Sequence, residues 1–296
     1  MKALLIIPPC PARWLALEKL LDHERAARRA DLELRFTKAV ESANDAFAII
    51  PDGGQILANA CIAKRGDAGV LRYVFTHPDH RRRGFARSVI ETLTSWFNMV
   101  GGKWLYASAT ADVAQPFAAR FGFRRLHGVS GDPHDTLALL RRSNTEASDP
   151  FGGPAGDVTI RDVTRADDPL MVSLMQHRAG SDPRVPLAES ACAAQAAVLD
   201  LIHQQEQGTC KLLGAFRGTR IVAIASVATD PLGERTYAMR IPHDEELPKL
   251  REAVLAFADS KGYKQVDFPL ETLAETTAAA GVRPDSGSSS LPAPHD

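Results

Sequence analysis

Residues 70–97 read VLRYVFTHPDHRRRGFARSVIETLTSWF, and the run divides into three parts. Leu71, Tyr73 and Phe75 alternate with Arg72, Val74 and Thr76 in a segment rich in aromatic and β-branched side chains, which predicts a strand, and Pro78 ends it. Val89, Ile90, Leu93, Trp96 and Phe97 recur with the spacing of one helix face, so an amphipathic helix is predicted to start near Gly84. Between them, Arg81 to Ala86 form a basic turn in which glycine and alanine permit close backbone approach. The first turn of the helix leaves several N–H groups without intrahelical acceptors. Oriented N–H donors, the positive end of the helix dipole and the charges of Arg81, Arg82, Arg83 and Arg87 together suit a pyrophosphate. A solvated basic turn opening an ordinary helix is the plainer alternative.

The rest of the chain limits the choices. At 296 residues and 45% hydrophobic composition it can build one large or two medium cores, so a globular protein is expected. The net charge of −1 gives no support for nucleic acid or a membrane surface as the main partner. Cys10, Cys61, Cys192 and Cys210 are scattered without metal-ligand or disulfide-framework spacing, so free thiols and no metal are expected. Pro8 and Pro9 interrupt the apolar start Ala3 to Ile7 well short of a signal or membrane segment. It is read as a buried first strand of a cytoplasmic protein.

In order, Ala12 to about Leu32 carries Trp14, Leu15, Leu17, Leu20 and Leu21 on one face and predicts one helix, continuing into a second. Ala46–Ile50 and Gln55–Lys64 flank the turn Asp52-Gly53-Gly54 as a hairpin. Gly101-Gly102 closes the long helix, and Lys103–Ala109 is the next strand. Ala111 to Arg125, ADVAQPFAARFGFRR, leads into a further strand, and Asp135–Arg141 is read as the last of the first half. The segment 143–156 is a Ser, Pro and Gly-rich linker. Beyond it, Val158–Val163, Pro169–His177, Leu187–Gln207, Lys211–Phe216, Arg220–Ala228, Thr236–Ile241, Leu247–Ser260 and Gln265–Phe268 repeat the plan of strand, helices, meander, helix and strand. Residues 284–296 are polar and expected to be disordered.

Two stretches carry a resemblance. Arg81-x-x-Gly84-x-Ala86 after a strand resembles the acyl-coenzyme A loop of the GNAT family of N-acetyltransferases, whose pattern is Gln/Arg-x-x-Gly-x-Gly/Ala. Ala111 to Arg125, with Phe117 and Gly122-Phe123, is similar to that family's second signature. The resemblance implies an α/β (α+β) fold of two GNAT-like domains. Each would hold a mixed, mostly antiparallel central sheet flanked by helices, with a splayed parallel strand pair, Leu71–Thr76 beside Lys103–Ala109, in the first. The expected division is 1–142, an acyl-CoA-binding domain; 143–156, a linker; 157–283, a degenerate copy; and 284–296, a tail. The second copy replaces the basic loop with Pro242-His243-Asp244-Glu245-Glu246-Leu247-Pro248, whose acids suit a helix start and repel a phosphate.

By the same resemblance, Val74, Phe75 and Thr76, the loop and first turn Arg81, Arg82, Arg83, Gly84, Phe85, Ala86, Arg87 and Ser88, and Phe117 would hold acetyl-CoA or another acyl-CoA. An amine of a small molecule or peptide would attack the thioester directly, in a ternary complex, with backbone N–H groups near Val74–Thr76 polarising the carbonyl. The tyrosine that many members use as general acid falls at Ala118, a frequent asparagine at Ala111, and a frequent carboxylate near Val70. Tyr73, Tyr106, Ser108 and Asp112 are the candidates to replace them. An acyl-CoA-binding sensor or scaffold without catalysis, and a structural partner-binding tandem domain, are the alternatives.

Overall fold

The structure, a computed structural model, describes residues 1–40, 44–110, 117–125, 137–145, 157–181, 191–229, 236–241, 247–262 and 266–267. The first half contains β1 (Leu4–Ile6), α1 (Trp14–Leu20), α2 (Ala26–Thr37), β2 (Asn44–Asp52), β3 (Gln55–Arg65), β4 (Ala68–Thr76), α3 (Phe85–Met99) and β5 (Trp104–Thr110). There follow a helical segment α4 (117–121), β6 (Arg124–Arg125) and β7 (Leu137–Ser143). Among the described residues the strands form a seven-stranded sheet in the order β1-β2-β3-β4-β5-β7-β6. β4 and β5 run parallel and the other neighbours antiparallel.

Strand alternation sorts this sheet into two faces. Ala46, Ala48, Ile50, Ala60, Ile62, Leu71, Leu105 and Ala107 pack against Val89, Ile90, Leu93, Trp96 and Phe97, the stripe read on α3. Phe47, Ile49, Cys61 and Tyr73 pack on the opposite face against Trp14, Leu17, Leu20, Leu32 and Phe36. One expectation is corrected here, and another, a helix followed by a second, is met with a later end. Among the described residues the first strand is an edge strand paired only with β2, and it buries Ile6 while Leu4 stays 40% and Ile7 54% exposed. The helical region is two separate helices, and the second runs on to Thr37.

The second half contains β8 (Val158–Asp162), α5 (Asp168–Ser181), α6 (Ala191–Glu206), β9 (Cys210–Arg217), β10 (Arg220–Thr229), β11 (Thr236–Ile241), α7 (Leu247–Ser260) and β12 (Val266–Asp267). Its five described strands lie in the order β12-β11-β10-β9-β8, with only the β11–β12 pair parallel. That reproduces the order and sense of β1 to β5. α7 covers one face through Leu250 and Val254, as α3 does in the first half.

α5 occupies a position that periodicity does not reveal. Leu170, Met171, Val172, Leu174 and Met175 are all buried, so apolar contact surrounds the helix instead of forming a stripe. It packs at once against Ala68, Val70, Trp104 and Tyr106 of the first sheet and Leu212, Phe216, Ile221 and Ile224 of the second. One continuous core therefore joins the two halves. The turn between β3 and β4 meets the turn between β9 and β10, where Arg220 donates to Asp67 at 2.9 Å. The acidic segment 242–246, residues 146–156 of the expected linker 143–156 and the tail 284–296 lie outside the described residues, and β7 extends to Ser143, the first residue of that linker.

Candidate functional site

The site begins where β4 and β5 stop pairing. Their parallel ladder covers Ala68–Val70 against Trp104–Tyr106, and beyond it β4 continues to Thr76 while β5 continues to Thr110, paired along its other edge with β7 from Trp104 onward. A gap flanked by two strand edges opens there, with backbone groups that no β4–β5 ladder uses.

β4 also bulges at this point. Asn59 is opposite Phe75 and Cys61 opposite Arg72, so Tyr73 and Val74 together face Ala60 alone. Tyr73 has φ +52°, a left-handed conformation unfavourable for a bulky side chain. Asn59 Nδ2 donates to the Tyr73 carbonyl at 3.2 Å, and the Tyr73 hydroxyl donates to the Arg28 carbonyl at 3.3 Å. Burial, with Asp31 nearby, pushes the Tyr73 phenol above its ordinary pKa, so it stays neutral. In the second half β10 and β11 pair without interruption from Ile224–Ile241 to Thr229–Thr236, with no such bulge among the described residues.

The turn after β4 is held by the His77 N–H, which donates to the Leu57 carbonyl at 2.9 Å, and by a single 3-10 turn Pro78–His80. Arg82 at φ +62° and Gly84 at φ +80° then swing the chain into α3. The Ser88 N–H reaches the Gly84 carbonyl at 3.0 Å, which leaves the N–H groups of Phe85, Ala86 and Arg87 without intrahelical acceptors. A Cβ on Gly84 would meet nothing within 4 Å, so the space before these donors is open. Arg81, Arg82 and Arg83 are exposed around it.

The sequence-predicted residues divide by this geometry. Arg87 Nε is bound to Glu91 Oε1 at 2.6 Å along the exposed side of α3, so its charge is already partnered. Phe85 buries its ring in the core against α3's own stripe and offers the site only its backbone. Val74 is 39% exposed, Phe75 and Thr76 are half-buried, and Arg81 lies over the Phe75 ring at 5.9 Å. Ala86 and Ser88 are half-buried in the first turn. Phe117 is half-buried, with its ring 4.9 Å from Phe121 and 5.3 Å from Phe123. Of the proton-transfer candidates, Tyr73 and Tyr106 are buried, Ser108 is half-buried two residues beyond Tyr106, and Asp112 lies outside the described residues. Val70, at the end of the parallel ladder, is buried under α5.

Sequence reasoning passed over a group of buried charges behind the bulge. Arg72 grips Asp168 of α5 with both terminal guanidinium nitrogens, Nη1 donating to Oδ2 at 2.7 Å and Nη2 to Oδ1 at 2.5 Å. Arg35 of α2 donates to Asp31 and Asp45 at 2.9 Å each, and to the same Asp168. Arg165 closes the set on Asp31 at 2.7 Å and reaches Glu206 at the rim. Burial raises the Asp168 carboxyl, but the attraction of Arg72 and Arg35 outweighs it and holds the carboxyl below the ordinary range. Asp45 shifts upward, because burial outweighs the pull of Arg35, which it shares with two other carboxylates. The available signal was positional. Arg72 interrupts the apolar strand VLRYVF, and Asp31 and Arg35 sit four apart beside the inward-facing Leu32 and Phe36 of α2.

Residues 13–123 match the family described as the acetyltransferase (GNAT) family. No curated protein matches the sequence. Among solved structures, a tandem GNAT protein from the clavulanic acid biosynthesis pathway is 16% identical, with 94% of each chain covered and a TM-score of 0.37. An acyl-CoA N-acyltransferase from Pseudomonas aeruginosa is 18% identical over 48% of this chain and 100% of its own, at a TM-score of 0.37. The ribosomal-protein-S18-alanine N-acetyltransferase from Escherichia coli is 14% identical over 52% of this chain and 99% of its own, at 0.38.

Proposed function

We propose, from the match of residues 13–123 to the GNAT acetyltransferase family, that the protein moves an acetyl group from acetyl-CoA to an amine of a small molecule or peptide. The observation that carries this reading is the coincidence, at the end of one strand, of the opened β4–β5 gap, the bulge at Tyr73–Val74 and the basic turn with three free helix N–H groups. The turn suits the pyrophosphate, and the gap suits the extended thioester arm.

In the proposed reaction the neutral amine nitrogen attacks the thioester carbonyl carbon. The C–N bond forms, the carbonyl oxygen takes up negative charge, and the C–S bond then breaks as the carbonyl is restored. Backbone N–H groups around Val74–Thr76 stabilise the charged oxygen. One proton leaves the nitrogen and one returns to the departing thiolate. Tyr73 is a poor donor for that return, since its hydroxyl is committed to Arg28 and its phenol is held above its ordinary pKa. Ser108, half-buried on β5 past the point of divergence, is the residue we assign to relay protons through water.

Arg81, Arg82 and Arg83 are the charges assigned to the phosphates, and Gly84 the position that lets them approach. Among the described residues no helix is long and apolar enough to cross a membrane. The second reading, an acyl-CoA-binding sensor without turnover, draws on Ala118, which stands half-buried where the family's acid would be. Calorimetry with acetyl-CoA is expected to show binding that the paired Arg81→Ala and Arg83→Ala variant weakens by about tenfold, as the loss of two phosphate partners implies. Absence of heat at sub-millimolar acetyl-CoA sinks both readings. Thiol release in the presence of an amine library separates the enzyme from the sensor.

A further inference from the structure

We propose that Asp168, from the second half of the chain, is a positioning residue for acetyl transfer: by clamping Arg72 it fixes the β4 bulge that aims backbone N–H groups at the acyl carbonyl. The inference rests on the acyl-CoA reading of the β4–β5 gap.

The bulge needs external support. A tyrosine at φ +52° persists only where its surroundings over-determine it. Two supports act on Tyr73 itself, the Asn59 amide on its carbonyl and the Arg28 carbonyl on its hydroxyl. The third acts on the residue immediately before it. Arg72 is held by two parallel hydrogen bonds to Asp168, and both side chains are fully buried. A bidentate guanidinium–carboxylate pair constrains orientation as well as distance, so it fixes the direction in which β4 enters the bulge.

Asp168 is well placed for this task. It is the first residue of α5, where the helix dipole favours a carboxylate. α5 is itself immobilised by the core it shares with both sheets. Asp168 also binds Arg35, which holds Asp31 on α2 and Asp45 on β2. The described part of the β10–β11 pair has no such bulge, and the sequence after β11 carries acids where that after β4 has arginines. Its contribution to chemistry is then made through this clamp.

A purely structural role is the competing explanation, and the test has to separate the two. Arg35, Arg72 and Arg165 balance Asp31, Asp45 and Asp168, so the paired variant Arg72→Met with Asp168→Leu leaves two charges of each sign. Replacing a buried ion pair by apolar groups of similar volume is tolerated, whereas Asp168→Asn alone strands a buried guanidinium. The second variant is Arg72→Lys, which keeps the charge but loses the two-point grip.

The readout is the infrared carbonyl stretch of acetyl-CoA labelled with carbon-13 at the acetyl carbonyl, bound to the full chain, beside calorimetric affinity and a urea unfolding curve. In the wild type the stretch is expected below that of free acetyl-CoA. In the folded paired variant it is expected to return to the free value with affinity changed less than about threefold, since the phosphate contacts are untouched, and Arg72→Lys is expected to lie between. Thiol release, with an amine identified by the library screen, is expected to slow by about tenfold or more. A wild-type carbonyl stretch in either folded variant overturns the inference and leaves the acyl-CoA reading intact. A wild type that binds no acetyl-CoA overturns both.

Discussion

Gly84 combines two properties at one position: a backbone conformation that only glycine adopts freely, and open space in front of unpaired helix donors. Gly84→Asp is expected to weaken acetyl-CoA binding by about tenfold or more through charge repulsion at the phosphates, while costing only about 1 kcal/mol of stability from the left-handed φ. Calorimetry and urea midpoints measure the two effects separately, and a loss of stability without a loss of affinity would remove Gly84 from the phosphate site. Asp168 supplies a pH prediction. Its folded carboxyl titrates below the ordinary range, so between that lower pKa and the unfolded value of about 3.9 the unfolded chain binds more protons. Stability from the clamp is therefore complete above about pH 4 and is lost as pH falls further. Asp45, shifted upward, has the opposite slope just above pH 4. Urea midpoints measured from pH 5 down to pH 2.5 are expected to fall less steeply in the paired Arg72→Met, Asp168→Leu variant than in the wild type. The basic turn opening α3 was legible from sequence because RRRGFA carries its charges and its glycine within six residues. Tyr73 and Tyr106 were read as cleft residues because strand alternation does not say which face a neighbouring helix will cover.

At the scale of elements, α3 is the piece on which both the core and the turn depend. Phe97 at its end lies against two glycines: a Cβ on Gly102 would sit 2.4 to 2.5 Å from three of its ring atoms, and one on Gly69 at 2.6 Å from Cε2, one of the same three. Gly102→Ala is expected to destabilise the protein by about 3 kcal/mol, the upper end of overpacking costs, because the ring is enclosed and cannot move aside. A urea midpoint within error of the wild type would show that the ring has room to shift. Elements with a strong period were legible, among them α3, the β2–β3 hairpin and β11. α5 was recognised as a helix but not as the centre of the molecule, because a helix with apolar contacts all round carries no directional signal. The bulge was invisible for a different reason. An extra residue in a strand preserves composition and nearly preserves alternation, and only the partner strand reveals the lost register.

For the whole molecule, the decisive feature is that the joint between the halves is an interior. Val70, Trp104 and Tyr106 of the first sheet are covered by Leu170, Met171 and Leu174, and Arg72 and Arg35 find a carboxylate on the same helix. Residues 1–145 expressed alone are therefore expected to aggregate or remain partly unfolded, since removing α5 exposes an apolar face and takes from Arg72 the carboxylate that both its hydrogen bonds use. Urea unfolding of the full chain, followed by tryptophan fluorescence and far-ultraviolet circular dichroism, is expected to give coincident single transitions. A soluble, cooperatively folded 1–145 fragment that binds acetyl-CoA as the full chain does would show that the halves are independent. The sequence suggested the two-copy plan through matching element order. It could not show that the copies share one core.

By itself, the sequence determined the order of the elements, the repeat, the basic turn at Arg81–Ala86 and the acids that stand in its place in the second half, because these depend on local periodicity, turn chemistry and charge along the chain. Tertiary structure alone decided where β4 and β5 part, how Tyr73 bulges, and that Asp168 meets Arg72 across 96 positions of chain. The physical reason is that strand register and buried ion pairing are properties of two segments at once. A buried arginine is affordable only where a distant fold element delivers its carboxylate.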